Sequence, residues 1–182
     1  TPDGSEVLSV VPVESAIFDS VGNVASTTQT NNTANLKDKT APTVSSFKLE
    51  SNNSAIEATF SEAVFSKSDG SGALETTDFV LTLQGGAATL SSATPSSISA
   101  TGNVYTLGIG LSGTPDGVEV LTVTLVDSAI YDAASNIASV TQNNNSTTLF
   151  DQKAPTITSV SPSSDNSSII VIFSEAVFSK SD

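Results

Sequence analysis

The chain repeats itself at an offset of 113 residues. Residues 1–69 align with residues 114–182 without a gap, and 40 of the 69 aligned positions are identical. The repeat period is a common size for a domain that buries its own core. Because the sequence begins and ends inside this period, we expect it to be a window on a longer tandem array. Such arrays more often provide an extended structure than a catalytic activity.

The boundary between units is predicted at the linker 38–43 (DKTAPT), which recurs at 151–156 as DQKAPT. The proline in each linker has no N–H to donate to a sheet and keeps the preceding residue extended, which is typical of a short, stiff connection. We therefore predict the C-terminal part of one unit in residues 1–37, a complete unit in 38–150, and the N-terminal part of the next unit in 151–182.

The complete unit has the hydrophobic pattern of strands separated by turns and no helical period. The predicted strands, lettered A to G, cover residues 44–50, 55–63, 78–84, 87–93, 103–111, 118–126 and 137–149. Seven short strands with close turns predict an all-β, antiparallel, two-sheet sandwich. A closed barrel is the alternative, but the end-to-end arrangement of the units favours the sandwich. By the same lettering, residues 1–37 hold strands F and G, and residues 151–182 hold A and B.

Composition argues against several classes of function. The chain has no His, Cys, Arg, Met or Trp. It therefore lacks the most versatile general base and the best thiol nucleophile, and we predict that it is not an enzyme. A net charge of −13 with six Lys opposes binding to nucleic acid and to anionic membranes. The sequence contains no run of eighteen apolar residues, so we predict no membrane insertion. The Ser-, Thr- and Asn-rich acidic surface indicates an extracellular protein.

Three short motifs stand out: FSEAV at 60–64, the D-x-x-x-N loop at 132–136 (19–23 in the first copy), and the D-x-x-A-P-T linker. Together they resemble bacterial immunoglobulin-like (Big-type) tandem repeats of giant secreted cell-surface adhesins. The resemblance implies a seven-stranded immunoglobulin-like sandwich in tandem, acting as a spacer or stalk at the cell surface. The second copy departs from the family by having Ser135 where these loops usually carry Gly, which raises the question of whether the backbone there has a positive φ.

The predicted topology places the linker and the loops after strands B and F at one pole of the unit. This pole carries the candidate metal ligands Asp38, Glu62, Asp69, Asp78, Asp127, Asp132 and Asn136, together with Glu75. The sequence favours Asp38, Glu62, Asp132 and Asn136 over Asp69, Glu75 and Asp127. Carboxylate and amide oxygens are the ligands that Ca²⁺ takes, whereas zinc and copper sites use His or Cys. The resemblance also implies calcium at interdomain joints in some family members. The alternative is a solvated acidic pole whose Asp and Asn side chains make Asx-turns.

Two alternative functions stay open beside the spacer. Chains or repeats could associate laterally into a filament or cable through the unprotected edges of strands A and G. The unit could instead be a glycan- or protein-binding module that uses the predicted loop at 94–102. The partners that we predict are neighbouring repeats of the same chain, with lateral self-association as the alternative. Sequons such as Asn31-Asn-Thr leave glycosylation open.

Overall fold

The computed structural model describes residues 1–179, and this part of the chain is all-β with antiparallel sheets. A 3-10 helix at Thr76–Asp78 precedes the fifth strand. The strands are β1 (Val7–Ser9), β2 (Thr33–Asn35), β3 (Val44–Leu49), β4 (Ala55–Phe60), β5 (Phe79–Gln84), β6 (Thr89–Leu90), β7 (Ile98–Thr101), β8 (Val104–Gly108), β9 (Leu111–Ser112), β10 (Val120–Leu125), β11 (Ser146–Thr148), β12 (Ile157–Pro162) and β13 (Ile169–Phe173). Residues 180–182, at the end of the predicted third unit, lie outside the described residues. None of the described helical segments is long and apolar enough to span a membrane.

Residues 38–150 form two main sheets. One has the strand order β3-β4-β8-β7, the other has the order β11-β10-β5, and β6 and β9 form a separate small pair. Alternate residues of β4 and β10 are buried, because successive side chains of a strand point to opposite faces. Ile56, Ala58 and Phe60 lie on one face of β4, and all three are buried.

A single hydrophobic core contains side chains of both main sheets, which makes the unit sandwich-like. Its largest fully buried side chains include Phe79, Ile56, Leu81, Leu107 and Leu121. Aromatic packing adds to this core. The rings of Phe60 and Tyr105 meet edge to face, with centroids 5.5 Å apart and an interplanar angle of 84°.

The pairs β1–β2 and β12–β13 flank these sheets as separate antiparallel ribbons. They lie in the segments whose sequence repeats that of β10–β11 and β3–β4. Unlike those central strands, every residue of the two ribbons is exposed.

Predicted strands A, B, C and F are confirmed, but strand G is much shorter than predicted. Of residues 137–149 only Ser146–Thr148 form a strand. In the polar run before it, side chains bond to backbone groups and a continuous backbone ladder does not form. Asn145 Nδ2 donates to the Val123 carbonyl at 3.0 Å, and Gln142 Nε2 donates to the Ser139 carbonyl at 2.6 Å.

Predicted strands D and E are also corrected. Strand D, at 87–93, is reduced to the two residues of β6, since the N–H groups of Ala87 and Ala88 bind a side chain and not a neighbouring strand. Strand E, at 103–111, is divided into β8 and β9. At the division, a Cβ on Gly108 would collide with the Ser97 hydroxyl.

The predicted binding loop at 94–102 is not a free loop. Four of its residues form β7, which pairs with β8 at the edge of the four-stranded sheet. Ile98 is partly buried and the other three residues of β7 are exposed, as at the edge of a sheet. This segment therefore gives no support to the binding-module alternative.

Candidate metal centre

The D-x-x-x-N loop at 132–136 folds around the carboxylate of Asp132, which is fully buried. Its Oδ1 accepts hydrogen bonds from Ala134 N at 2.8 Å and from Asn136 N at 2.7 Å, and its Oδ2 accepts from Asn136 Nδ2 at 2.7 Å. These are Asx-type bonds from a carboxylate to the backbone that follows it. The motif thus fixes its own loop conformation.

The first copy of the motif folds in the same way. Asp19 Oδ1 accepts from Val21 N and Asn23 N, both at 2.9 Å, and Asp19 Oδ2 accepts from Asn23 Nδ2 at 2.7 Å. The N–H and the side-chain amide of Asn23 hold the pKa of Asp19 below its ordinary value. The loop geometry is therefore a property of the repeated sequence.

Ser135 does have a positive φ, of 70°, and the equivalent Gly22 has a φ of 90°. A serine in this region is strained, but its hydroxyl donates a hydrogen bond to the Ser68 carbonyl. This contact joins the loop after β10 to the loop after β4. The close approach of the two loops is also seen at Gly70, where an added Cβ would lie 3.4 Å from Ala133 Cα.

Three carboxylates converge beside this loop. Oxygen atoms of Asp38, Glu62 and Asp132 all lie within 4.8 Å of one another. Asp38 comes from the linker, Glu62 follows β4, and Asp132 follows β10. Oxygens bound to one Ca²⁺ at 2.3–2.6 Å are at most about 5 Å apart, so the three spacings are compatible with a shared ion.

The electrostatics of this acidic triad are unfavourable without a cation. Burial raises the pKa of Glu62, and the charges of Asp132 and Asp38 raise it further. Among the described residues, the ion pair is Lys48–Glu57 at 3.4 Å, which lies outside the triad. A divalent cation would remove this repulsion, and the all-oxygen donor set suits a hard ion.

Asn136 and the linker complete the surroundings of the triad. Besides binding Asp132, the side-chain amide of Asn136 donates to the Thr40 carbonyl at 3.4 Å. The linker also contacts the preceding segment, because Lys39 N donates to the Pro2 carbonyl at 2.8 Å. The same contact recurs one period later between Gln152 N and the Pro115 carbonyl at 3.0 Å. The triad therefore lies at a joint between repeated segments.

The other predicted ligands do not join the triad. Asp69 accepts hydrogen bonds from the N–H and hydroxyl of Ser71, within its own turn. Asp78 accepts from Glu75 N at 2.8 Å and caps the 3-10 helix, and burial raises the pKa of Asp78. Asp127 is exposed. The structure thus brings together four of the predicted residues: Asp38, Glu62, Asp132 and Asn136.

A related acidic cleft of about 220 Å³ lies one period later, where Asp116, Asp151 and Glu175 meet Lys153. Asp116 Oδ1 is buried and has no hydrogen-bond partner among the described residues. In the first copy, Ser5 N and Ser5 Oγ donate to the equivalent Asp3. Position 118 is Val instead of Ser, which removes the hydroxyl donor of the first copy.

Sequence reasoning missed one buried carboxylate. Glu119 is fully buried and accepts hydrogen bonds from Ala87 N and Ala88 N at 2.9 Å and from Asp116 N at 3.1 Å. The sequence does indicate this role, because Glu119 lies on the apolar face of predicted strand F and a carboxylate buried there needs hydrogen-bond donors. Glu119 joins two turns and is not directed at the triad.

Comparisons with known proteins identify no relative. No family model, no curated protein and no solved structure matches this chain. Functional conclusions therefore depend on the residues and their geometry.

Proposed function

We propose that this chain is a structural and adhesive segment of a very large bacterial cell-surface protein. Its tandem immunoglobulin-like units act as an extracellular spacer or stalk, and Ca²⁺ stiffens the joints between them. The observation that carries the proposal is the convergence of Asp38, Glu62 and Asp132 at a linker. A gapless repeat of 113 residues supports the tandem architecture.

The order of strands supports an immunoglobulin-like arrangement. In that fold, strands A, B, E and D form one sheet and strands C, F and G form the other. The orders β3-β4-β8-β7 and β11-β10-β5 match these two sheets when β7 takes the place of strand D. The small β6–β9 pair is an addition to that pattern. Each unit would lengthen the stalk by roughly 40 Å.

Calcium would act on the linker through Asp38. The other two carboxylates of the triad belong to the body of the unit, so an ion shared by all three fixes the linker to the strands that follow it. Asp132 is prepared for this role, because three hydrogen bonds hold its carboxylate in place. An ion at this position would remove hinge freedom at the joint and lengthen the array.

The experiment is thermal unfolding and small-angle scattering of the full chain in EDTA and in millimolar calcium. We expect calcium to raise the melting temperature, because an ion that binds the folded state stabilises it by about 3 kcal/mol at a hundredfold excess over Kd. We also expect a longer and stiffer particle. The double variant Asp38→Asn/Glu62→Gln should lose both responses.

The matched control is Asp69→Asn, which removes a carboxylate from the neighbouring turn and leaves the triad intact. This variant should respond to calcium as the wild type does. If calcium changes neither the melting temperature nor the scattering of the wild type, the triad is a solvated acidic pole. Stiffness would then come from the proline linker.

A further inference from the structure

The edge strand β7 lies in the longest uncharged part of the chain. Residues 79–115 contain no Asp, Glu, Lys or Arg, although the whole chain has a net charge of −13. Along the row of the sheet that passes through Ser99, the nearest charged residue is Glu57, two strands away, and it forms the ion pair with Lys48. Two copies of such an acidic protein repel each other least where both surfaces are uncharged.

The other edges of the two main sheets are protected against pairing, and β7 is not. β3 carries Lys48 and an irregular register, and Asn144 donates to two of its carbonyls. Beside β5, the Leu81 N–H donates to the Ala93 carbonyl, and β11 is only three residues long. Charges, irregular pairing, covering segments and short length all block edge pairing. By contrast, every residue of β7 pairs regularly with β8, and none is charged or proline.

Two residues of β7 present their backbone groups to the outside of the sheet. The Gly108 N–H donates to the Ser97 carbonyl at 2.9 Å, which fixes the alternation of the ladder between β7 and β8. The N–H and C=O groups of Ile98 and Ala100 therefore point away from β8. None of these groups bonds to a turn or loop of the described chain. The edge can thus accept a further extended strand.

We propose that β7 pairs with β7 of a second copy, antiparallel and about a two-fold axis at Ser99. In this register Ile98 faces Ala100 of the second copy, and the two residues exchange both of their N–H···O bonds. Ser99 faces its own equivalent, and Ser97 faces Thr101. The segment 97–101 is complementary to itself, because every position meets an uncharged residue that is small or β-branched.

An apolar cleft beside β7 adds to this fit. It has a volume of about 210 Å³ and is lined by Ala73, Leu74, Ile98, Ser99, Ala100 and Tyr105. None of these residues is charged. Paired residues of neighbouring strands point to the same face of a sheet, so Ile98 of the second copy would lie beside Ala100 at the cleft. Its side chain would be removed from water there, which favours association.

This contact is lateral and uses a different edge from strands A and G. It shares no residue with the linkers or with the acidic triad, so it leaves the tandem arrangement intact and does not depend on calcium. Because the same strand forms both sides, association through β7 ends at dimers. A pair of such short strands is far smaller than a standard interface, and we expect a dissociation constant of roughly 0.1–1 mM.

Sedimentation equilibrium of the full chain in EDTA, at up to about 1 mM, tests the inference. The wild type should form dimers at the upper end of this range. Ser99→Glu and Ser99→Lys each place like charges opposite one another at the two-fold axis. Each variant alone should therefore bind itself about fivefold more weakly than the wild type. A 1:1 mixture of the two should regain the wild-type affinity, because each pair then joins opposite charges.

Disulfide trapping tests the register. The chain has no Cys, so each single substitution supplies the only thiol. Ser99→Cys should form disulfide-linked dimers, because the two Cβ atoms at the axis lie within reach of a disulfide. Thr101→Cys, on the same exposed face of β7, should form about fivefold fewer, since it faces Ser97. A mixture of Ser97→Cys with Thr101→Cys should give dimers that neither variant gives alone.

Ser46→Glu and Ser46→Lys are the matched controls for the charge variants. They place the same charges at an exposed serine of β3, the opposite edge of the same sheet, and should leave dimerisation unchanged. Urea unfolding of the central unit should be the same in all variants, because every substituted side chain is exposed.

A wild type that stays monomeric at about 1 mM would overturn the proposal. So would dimers that the Ser99 charge variants do not weaken, or that the Ser46 variants do, because association would then use another surface. Equal trapping of Ser99→Cys and Thr101→Cys would contradict the two-fold register.

Discussion

The side-chain amide of Asn53 forms hydrogen bonds with both backbone groups of Phe150, at the end of the central unit. Its Nδ2 donates to the Phe150 carbonyl at 2.7 Å, and its Oδ1 accepts from Phe150 N at 2.9 Å. The residue is fully buried and has a φ of 56°, in the left-handed region that asparagine tolerates better than most residues. One turn residue thus ties the start of the unit to its end.

Asn53→Ala should destabilise the central unit by about 3 kcal/mol. The substitution removes both hydrogen bonds to the backbone of Phe150 and leaves an alanine at a positive φ, which alanine tolerates less well than asparagine. Urea denaturation measures the loss. Asn166→Ala is the matched control, since Asn166 has a φ of 57° on an exposed ribbon and should not affect the central transition. Equal losses in the two variants would contradict a role for the bonds to Phe150.

Glu119→Gln should cost about 2 kcal/mol at pH 7, because an NH₂ group would replace one carboxylate oxygen among backbone N–H donors. Burial alone would raise the pKa of Glu119. The donors from Ala88, Glu119, Ala87 and Asp116 together outweigh burial and hold the pKa below the ordinary value of 4.5.

The sign of this shift predicts the pH dependence of the difference. A carboxyl with a lowered pKa contributes stability above pH 4.5 that is lost as the pH falls through its folded-state value. The gap in unfolding free energy between wild type and Glu119→Gln should therefore be largest at pH 7 and shrink below pH 4. Glu6→Gln, the equivalent exposed position, should show no gap. A gap that is independent of pH would mean that Glu119 acts through packing and not through charge.

Gly86→Ala should destabilise the unit much more than Gly102→Ala. Both glycines have nearly the same positive φ, 60° and 58°. A Cβ at Gly86 would collide with the Glu119 carboxylate, whereas a Cβ at Gly102 would meet nothing within 4 Å. The Gly102 variant should lose about 1 kcal/mol from backbone strain. The Gly86 variant should lose roughly 2 kcal/mol more, through the displaced carboxylate. Urea denaturation of both variants isolates the steric effect.

Alternation of apolar residues was sufficient to predict β4 and β10, because each has one face in the core. It failed for residues 137–145. In a run of Asn, Gln and Ser, the backbone groups can form hydrogen bonds with side chains as well as with a neighbouring strand. The pattern also missed β7, whose small alternating residues resemble a turn. Whether these segments form strands depends on the strand that lies beside them in the fold, and the sequence pattern of the segment alone does not contain that information.

The candidate site shows the same limit. The D-x-x-x-N motif predicted the position of Asp132 and Asn136 because the loop folds by bonds within itself. The sequence favours Asp38 and Glu62 over Asp69 but does not show which carboxylates meet, since all of them lie near the same pole. Hydrogen bonds from following residues are no criterion, because Asp38 and Asp132 accept them just as Asp69 does. Only coordinates show which oxygens stay directed at the joint.

Glu62→Gln should have opposite effects without and with calcium. Burial and the charges of Asp132 and Asp38 raise the pKa of Glu62 above 4.5. A carboxyl with a raised folded pKa disfavours folding at neutral pH, and this penalty disappears as the pH falls through 4.5. In EDTA at pH 7 the variant should therefore melt roughly 2 °C above the wild type, with no gain at pH 4. In millimolar calcium the order should reverse, because the wild type keeps a ligand that the variant lacks.

Glu14→Gln, at an exposed carboxylate outside the triad, should match the wild type in both solutions. A variant that stays more stable than the wild type in calcium would show that Glu62 is not a ligand.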